Sequence, residues 1–220
     1  MEKIIIFGTG QMAQVLNYYI DKDKAFDVCA FTVDNDYITD HEFMGKPVIS
    51  FDKVEKFFSP EIYKMALPIS FKHLNKIREE KFLEAKKKGY SCISFISKEC
   101  NCETKDIGEN VFILGNCSIC PFVKIGNNVF MWPTTAIGHH VVIEDNCFLA
   151  SPKLSGCVCV GKNSFLGTNA TIADTLTIGT YCIIGAGVTV TKSIKDGSVL
   201  AAKKNQVMPL KSWDMEDLLG

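Results

Sequence analysis

From Ile107 onward an aliphatic residue or methionine returns every six positions. The series runs Ile107, Ile113, Ile119, Ile125, Met131, Ile137, Ile143 and Leu149. After one step of five it resumes at Leu154, Val160, Leu166, Ile172, Ile178, Ile184 and Val190. A second column, four places after each start, is small or β-branched at most positions: Val111, Cys117, Val123, Val129, Thr135, Val141, Cys147, Val158, Ser164, Ala170, Leu176, Cys182, Val188 and Ile194. Glycine often follows the first column, as in Ile125-Gly126 and Ile137-Gly138. A helix needs apolar spacings of three and four, and a plain strand needs two. A period of six, with two inward positions and a glycine near a corner, describes one flat side of a triangular coil. Three sides make a coil of about 18 residues, and stacking coils roughly 4.8 Å apart by parallel backbone hydrogen bonds gives a prism.

The first 95 residues lack this period and alternate strands with helices. Lys3 to Phe7 reads as a strand, followed by Gly8-Thr9-Gly10-Gln11-Met12-Ala13 and a helix to about Ile20. A second strand, Val28 to Val33, ends at Asp34, and a third lies near Tyr63 to Leu67. A helix from about His73 to Lys88 then leads to a strand from Cys92 to Phe95. These predict a small Rossmann-like β-α-β domain over residues 1–95, with a parallel sheet. A β-helix domain follows over 96–200. Residues 201–220 form a tail, of which Val207 to Leu219 reads as an amphipathic cap on the open end of the prism.

A net charge of −1 over 220 residues gives no bulk electrostatic surface for nucleic acid or membrane. No apolar stretch approaches the roughly 20 residues of a membrane span. The start, MEKIIIFGTGQ, reads as a buried strand rather than a signal peptide. Ten cysteines without paired C-x-x-C spacings read as reduced and core-packing, which places the chain in the cytoplasm and predicts no metal.

Two places carry chemistry. The G-x-G-x-x-A turn sets backbone N–H groups and a helix amino terminus where a phosphate can sit, at Gly8, Thr9, Gly10 and Gln11. Glycines serving only a tight strand-to-helix turn, or a dinucleotide oxidoreductase, are the other readings. In the repeats, His139 and His140 stand side by side. His139 is third in its hexapeptide, so it points out of the prism near a corner. One coil on, allowing for the short step, is Gly156, whose backbone N–H is a candidate donor beside it. Lys203 and Lys204, after the last coil, either neutralise phosphates or stand as solvated charges.

The repeat resembles that of hexapeptide acyltransferases, which form left-handed parallel β-helices. Together with the amino-terminal domain, the chain resembles the sialic acid O-acetyltransferase and bacillosamine N-acetyltransferase family. The resemblance implies an acetyl-CoA-dependent N-acetyltransferase acting on a nucleotide-linked amino sugar in surface glycan biosynthesis. O-acetylation of a sialic-acid-like sugar is the alternative. It implies a homotrimer, with the donor in a groove between subunits. His139, before Ile143-Glu144-Asp145, takes the place of the family's catalytic base, and Gly156 that of an oxyanion donor. Thr168, Asn169, Gly185 and Ala186 match the donor groove; Gly8, Gly10, Asp34, Asn75 and Arg78 match the nucleotide-sugar site. The chain departs from the family by carrying Gln11-Met12 in the first turn and Leu67-Pro68-Ile69 after the third strand. It also has Phe148 at a second histidine position, and His140 where an acidic residue follows the base. A backbone carbonyl, Glu144 or Asp145 is then left to orient His139. From a different class, a non-catalytic β-helix protein shares the repeat but has no use for a nucleotide-binding-like domain. A β-helix carbonic anhydrase needs a third histidine that the repeats lack.

Overall fold

A computed structural model describes residues 1–203 and Pro209. The amino-terminal sheet holds β1 (Lys3–Phe7), β2 (Asp27–Val33), β3 (Glu42–Phe43), β4 (Lys46–Ser50) and β5 (Lys64–Ala66), in the order β3-β4-β2-β1-β5. All neighbours are parallel except β3 and β4, a short hairpin that the sequence pattern did not predict. Helices α1 (Gln11–Asp23), α2 (Val54–Phe57) and α3 (Lys76–Lys87) complete the domain. The alternation of β1 explains the layering. Ile4 and Ile6 share a core with Leu16 and Ile20 of α1, whereas Ile5 and Phe7 pack with Phe51, Met65 and Ala85.

Two expectations need correction. The third helix begins at Lys76 because His73, Leu74 and Asn75 take left-handed conformations, with φ of 51°, 52° and 66°. The strand expected over Cys92 to Phe95 does not join the sheet. Cys92 makes a single bridge to Met65, and Phe95–Ile96 is already the first rung of the β-helix.

The prism is a left-handed β-helix with three faces. The first stacks Phe95–Ile96, Phe112–Ile113, Phe130–Met131, Phe148–Leu149, Phe165–Leu166, Ile183–Ile184 and Val199–Leu200. The second runs from Asn101–Cys102 through Ala136–Ile137 to Thr189–Val190, and the third from Lys124–Ile125 to Thr177–Ile178. Both sequence columns point inward and form one core. Cys117, Cys147 and Cys182 lie in it, and all ten cysteines are free thiols, although Cys157 and Cys159 are exposed. Glycine follows the first column because neighbouring coils approach closely. A Cβ on Gly126 would stand 2.8 Å from the backbone nitrogen of Asp145. The five-residue step is absorbed at one edge: Ala136 and Ile137 pair with Lys153 and Leu154, which pair in turn with Thr171 and Ile172.

At each edge one residue per coil turns through a positive φ. Between the third and first faces this residue is Asn110, Asn128, Asn146 and Asn163 in successive coils, all buried, followed by Tyr181 and Gly197. Asparagine tolerates the left-handed region better than most side chains. Here the amides also form a ladder: Asn110 Nδ2 donates to Asn128 Oδ1 at 2.8 Å, and Asn128 Nδ2 to Asn146 Oδ1 at 2.7 Å. The amino-terminal domain closes both ends. Leu67 N–H donates to Asn110 Oδ1, and Asn163 Nδ2 donates to Glu79 Oε2, each at 2.9 Å.

The first face carries a second ladder, Phe112, Phe130, Phe148 and Phe165, pointing outward. Phe130 and Phe148 stack with centroids 5.2 Å apart and planes 9° from parallel. The amino-terminal domain covers Phe112, Phe130 and Phe148, which share its core with Ile4, Ile6 and Leu16. Burying each phenyl ring is worth roughly 1.5–3 kcal/mol.

Arg78, the chain's single arginine, fastens the two domains. It is fully buried. Its Nη1 donates to Asn128 O, and its Nη2 to Asn75 Oδ1 at 2.9 Å and Asn146 O at 3.0 Å. Asn75 Nδ2 reaches Asn163 O at 3.2 Å. Burial lowers the guanidinium to about 10, so it remains charged at neutral pH. A lysine cannot span carbonyls on two coils, because its ammonium is a point donor rather than a fork. Arg78→Ala should cost about 3 kcal/mol or more, since it strands buried carbonyls and opens a cavity. Arg78→Lys should recover less than half of the loss; urea unfolding followed by circular dichroism measures both.

Candidate active site

The first site is a cavity of about 530 Å³ at the carboxyl ends of β1 and β2, lined by Gly8, Thr9, Gly10, Gln11, Asp34 and, opposite, Pro68 and Ile69. Gly8 has φ of +109°, a conformation that side chains resist. Gly10 caps α1, and nothing lies within 4 Å of where its Cβ would be. A helix amino terminus therefore faces open space, an arrangement suited to an anion.

Sequence reasoning missed Lys81 and Tyr37, which also line this cavity. Lys81 Nζ binds Asp34 Oδ1 at 2.8 Å and Glu84 Oε2 at 2.8 Å. Burial pulls its ammonium pKa down, but these two carboxylates outweigh burial and raise it overall. Asp34 thus meets the cavity already paired. Asn75 and Arg78 do not line it at all; their side chains are buried against the prism, where they serve the domain interface.

The second site is the edge between the second and third faces. Its left-handed residues are Phe122, His140, Cys157 and Thr175, and the residues just before them are Pro121, His139, Gly156 and Asp174. His139 is exposed and stands directly below Gly156. A Cβ on Gly156 would lie 2.7 Å from both Cε1 and Nε2 of His139, and 3.0 Å from Asp174 Oδ1. The coils are joined here by Cys157 N–H to His139 O at 2.9 Å. The Gly156 N–H has no hydrogen-bond partner among the described residues.

His139 Nδ1 lies 3.1 Å from His140 Nδ1, which leaves Nε2 turned toward Gly156. His140 packs on Phe122, with centroids 4.7 Å apart. Glu144 and Asp145, expected as candidates to orient His139, do other work one edge further on. Asp145 Oδ1 accepts from Asn127 N–H at 2.6 Å, and Glu144 Oε2 from Lys162 N–H at 3.0 Å. Each caps a turn of the neighbouring coil, so the ring nearest to His139 Nδ1 is His140.

Thr168, Asn169 and Ala186 are exposed on a different edge, between the first and second faces, with Gly185 half-buried beside them. Lys203 is exposed, whereas Lys204 and the tail from Val207, apart from Pro209, lie outside the described residues. Phe148 is part of the covered aromatic ladder. Among the described residues no three His, Cys, Asp or Glu side chains gather to hold a metal ion, and no helix is long and apolar enough to cross a membrane.

These features define a hexapeptide-repeat β-helix carrying an exposed imidazole and a Rossmann-like domain. Residues 106–137 and 160–192 match the family described as bacterial transferase hexapeptide (six repeats). The repeat is that of this family over the matched residues, and the whole chain shares its fold with solved acetyltransferases. A perosamine N-acetyltransferase mutant from Caulobacter crescentus, in complex with CoA and GDP-perosamine, superposes with a TM-score of 0.80 at 22% identity, over 90% of this chain and 93% of that one. The acetyltransferase domain of PglB from Neisseria gonorrhoeae, in complex with acetyl coenzyme A, gives 0.81 at 20% identity, over 91% and 96%. WeeI from Acinetobacter baumannii gives 0.75 at 22% identity, over 92% and 97%. No curated protein sequence matches the chain significantly.

The geometry of the edge makes a prediction of its own. Gly156→Ala should displace the His139 ring, because both groups that meet the new methyl are side chains able to move. The His139 side-chain resonances should shift while the melting temperature changes by less than about 3 °C.

Proposed function

We propose that the protein transfers the acetyl group of acetyl-CoA to the amine of a nucleotide-linked sugar. The observation that carries this reading is His139 Nε2 aimed at the corner where the Gly156 N–H is free. An exposed base then stands beside a backbone donor that makes no hydrogen bond among the described residues. The solved relatives support the choice of donor and acceptor, since CoA, acetyl-CoA and GDP-perosamine are their ligands.

The chemistry follows from those two groups. The amine nitrogen attacks the thioester carbonyl, forming the carbon–nitrogen bond. Gly156 N–H donates to the oxygen as negative charge develops there. His139 Nε2 accepts the proton that the nitrogen sheds, for which imidazole is suited near neutral pH. The carbon–sulfur bond breaks, and the imidazolium returns its proton to the departing sulfur. On this reading Gly8, Thr9, Gly10 and Gln11 hold the nucleotide phosphates at the start of α1.

A homotrimer belongs to the proposal. His139 and Gly156 lie on one edge of the prism, and Thr168, Asn169 and Ala186 on another, with the second face between them. The nucleotide cavity does not include His139. A single copy therefore cannot close a donor groove around its own base, whereas a ring of copies sets one chain's edge against the next chain's. Light scattering should report about three times the chain mass; a monomer at micromolar concentration contradicts the shared groove.

Turnover of acetyl-CoA with GDP- and UDP-linked amino sugars, followed by free thiol release, tests the activity. His139→Ala should lower kcat by roughly two to four orders of magnitude and leave CoA affinity nearly unchanged. His140→Ala, which removes a neighbour rather than the base, should cost about tenfold or less.

A further inference from the structure

Asp174 is a carboxylate that faces His139 across Gly156, and neither the reading above nor the repeat pattern gives it a task. It stands two coils beyond His139 on the same edge. Its side chain is exposed and makes no hydrogen bond or ion pair among the described residues. Acidic residues one edge further on differ: Glu144, Asp145 and Asp196 each accept from a backbone amide of an adjacent coil. Because Gly156 has no side chain, Asp174 Oδ1 and His139 Nε2 border one small space, 3.0 Å and 2.7 Å from the point a Cβ would occupy.

We infer that Asp174 is a specificity residue that selects an amine acceptor over a hydroxyl, an inference that rests on the acyltransferase reading above. Amine and hydroxyl differ in the hydrogens they carry. A neutral amine carries two, so one is shared with His139 Nε2 while the other is donated to Asp174 Oδ1. A hydroxyl carries one. Once His139 engages it, the carboxylate faces oxygen lone pairs with no donor between them. The site thus rejects the hydroxyl through an unpaired charge rather than through size. The bond-forming step is the one already described, and Asp174 neither gains nor loses a proton in it.

The experiment uses the full-length protein, acetyl-CoA, and GDP- and UDP-linked 4-amino-6-deoxy sugars, each beside its partner with a hydroxyl replacing the amine. Wild-type protein should acetylate at least one amine and prefer it over the hydroxyl. Asp174→Asn and Asp174→Ala should lower kcat/KM for that amine on the order of 10- to 100-fold, the value of a hydrogen bond to a charged group. Hydroxyl turnover should hold or rise, so that the preference collapses. The Michaelis constant for acetyl-CoA should not move. A preference retained in both variants overturns this inference and leaves the acyltransferase reading standing. A wild-type preference for the hydroxyl also overturns it. No thiol release with any sugar nucleotide overturns the parent reading, and this one with it.

Discussion

Backbone hydrogen bonds between successive coils are the constraint on which the rest of this molecule depends. Each coil delivers its residues to the same three edges, so a side chain is placed by its column rather than by its immediate neighbours in sequence. The buried aliphatic columns hold the coils in register, as the pairing of Ile137 with Leu154 across the shortened step shows. Shortening the loop by one residue leaves that pairing intact, because the edge rather than a face absorbs the change. Every feature outside the core inherits this order. One edge becomes an asparagine ladder, another carries the imidazole, and one face becomes a stack of phenyl rings.

That order makes the division of labour between edges physically reasonable. A ladder of buried amides needs partners at both ends, and the amino-terminal domain supplies them through Leu67 and Glu79. The outward-pointing phenyl ladder needs a cover, and the same domain supplies it with Ile4, Ile6 and Leu16. Arg78 locks the arrangement by donating to carbonyls on separate coils. Desolvating a guanidinium costs several kcal/mol; its hydrogen bonds and the Phe148 ring 5.8 Å away offset that cost. The Rossmann-like cavity is thereby held in a fixed position beside the prism, while His139 stays on an edge that the domain does not cover.

The prism was legible in the sequence because its core repeats every six residues with a single shortened step, and stacking arithmetic correctly set Gly156 above His139. The docking of the two domains was not read from the sequence, although its signals were present. Asparagine recurs at Asn110, Asn128, Asn146 and Asn163, and phenylalanine at Phe112, Phe130, Phe148 and Phe165, each at the length of a coil. A polar residue repeated at an edge and an aromatic one repeated on an outer face both announce a neighbour. Asn75 and Arg78 were matched to the nucleotide-sugar site by family resemblance alone. Only the packing shows that they point at the asparagine edge. Glu144 and Asp145 were candidates for the wrong edge, since proximity in sequence to His139 spans a full side of the triangle. Asp174 escaped notice for the converse reason: it is distant in sequence and near in space only because the coil between has a glycine.

The central proposal is that the base of one chain works in a donor groove walled by the next copy, and complementation tests it most directly. His139→Ala removes the base from one edge, and Ala186→Arg obstructs the donor wall on the other. Each variant alone should be nearly inactive. Unfolded together and refolded as mixed oligomers, they should regain activity on the order of a quarter of the wild-type sites, since a ring then pairs an intact base with an intact wall at that frequency. Mixed oligomers that remain as inactive as either parent would contradict the account.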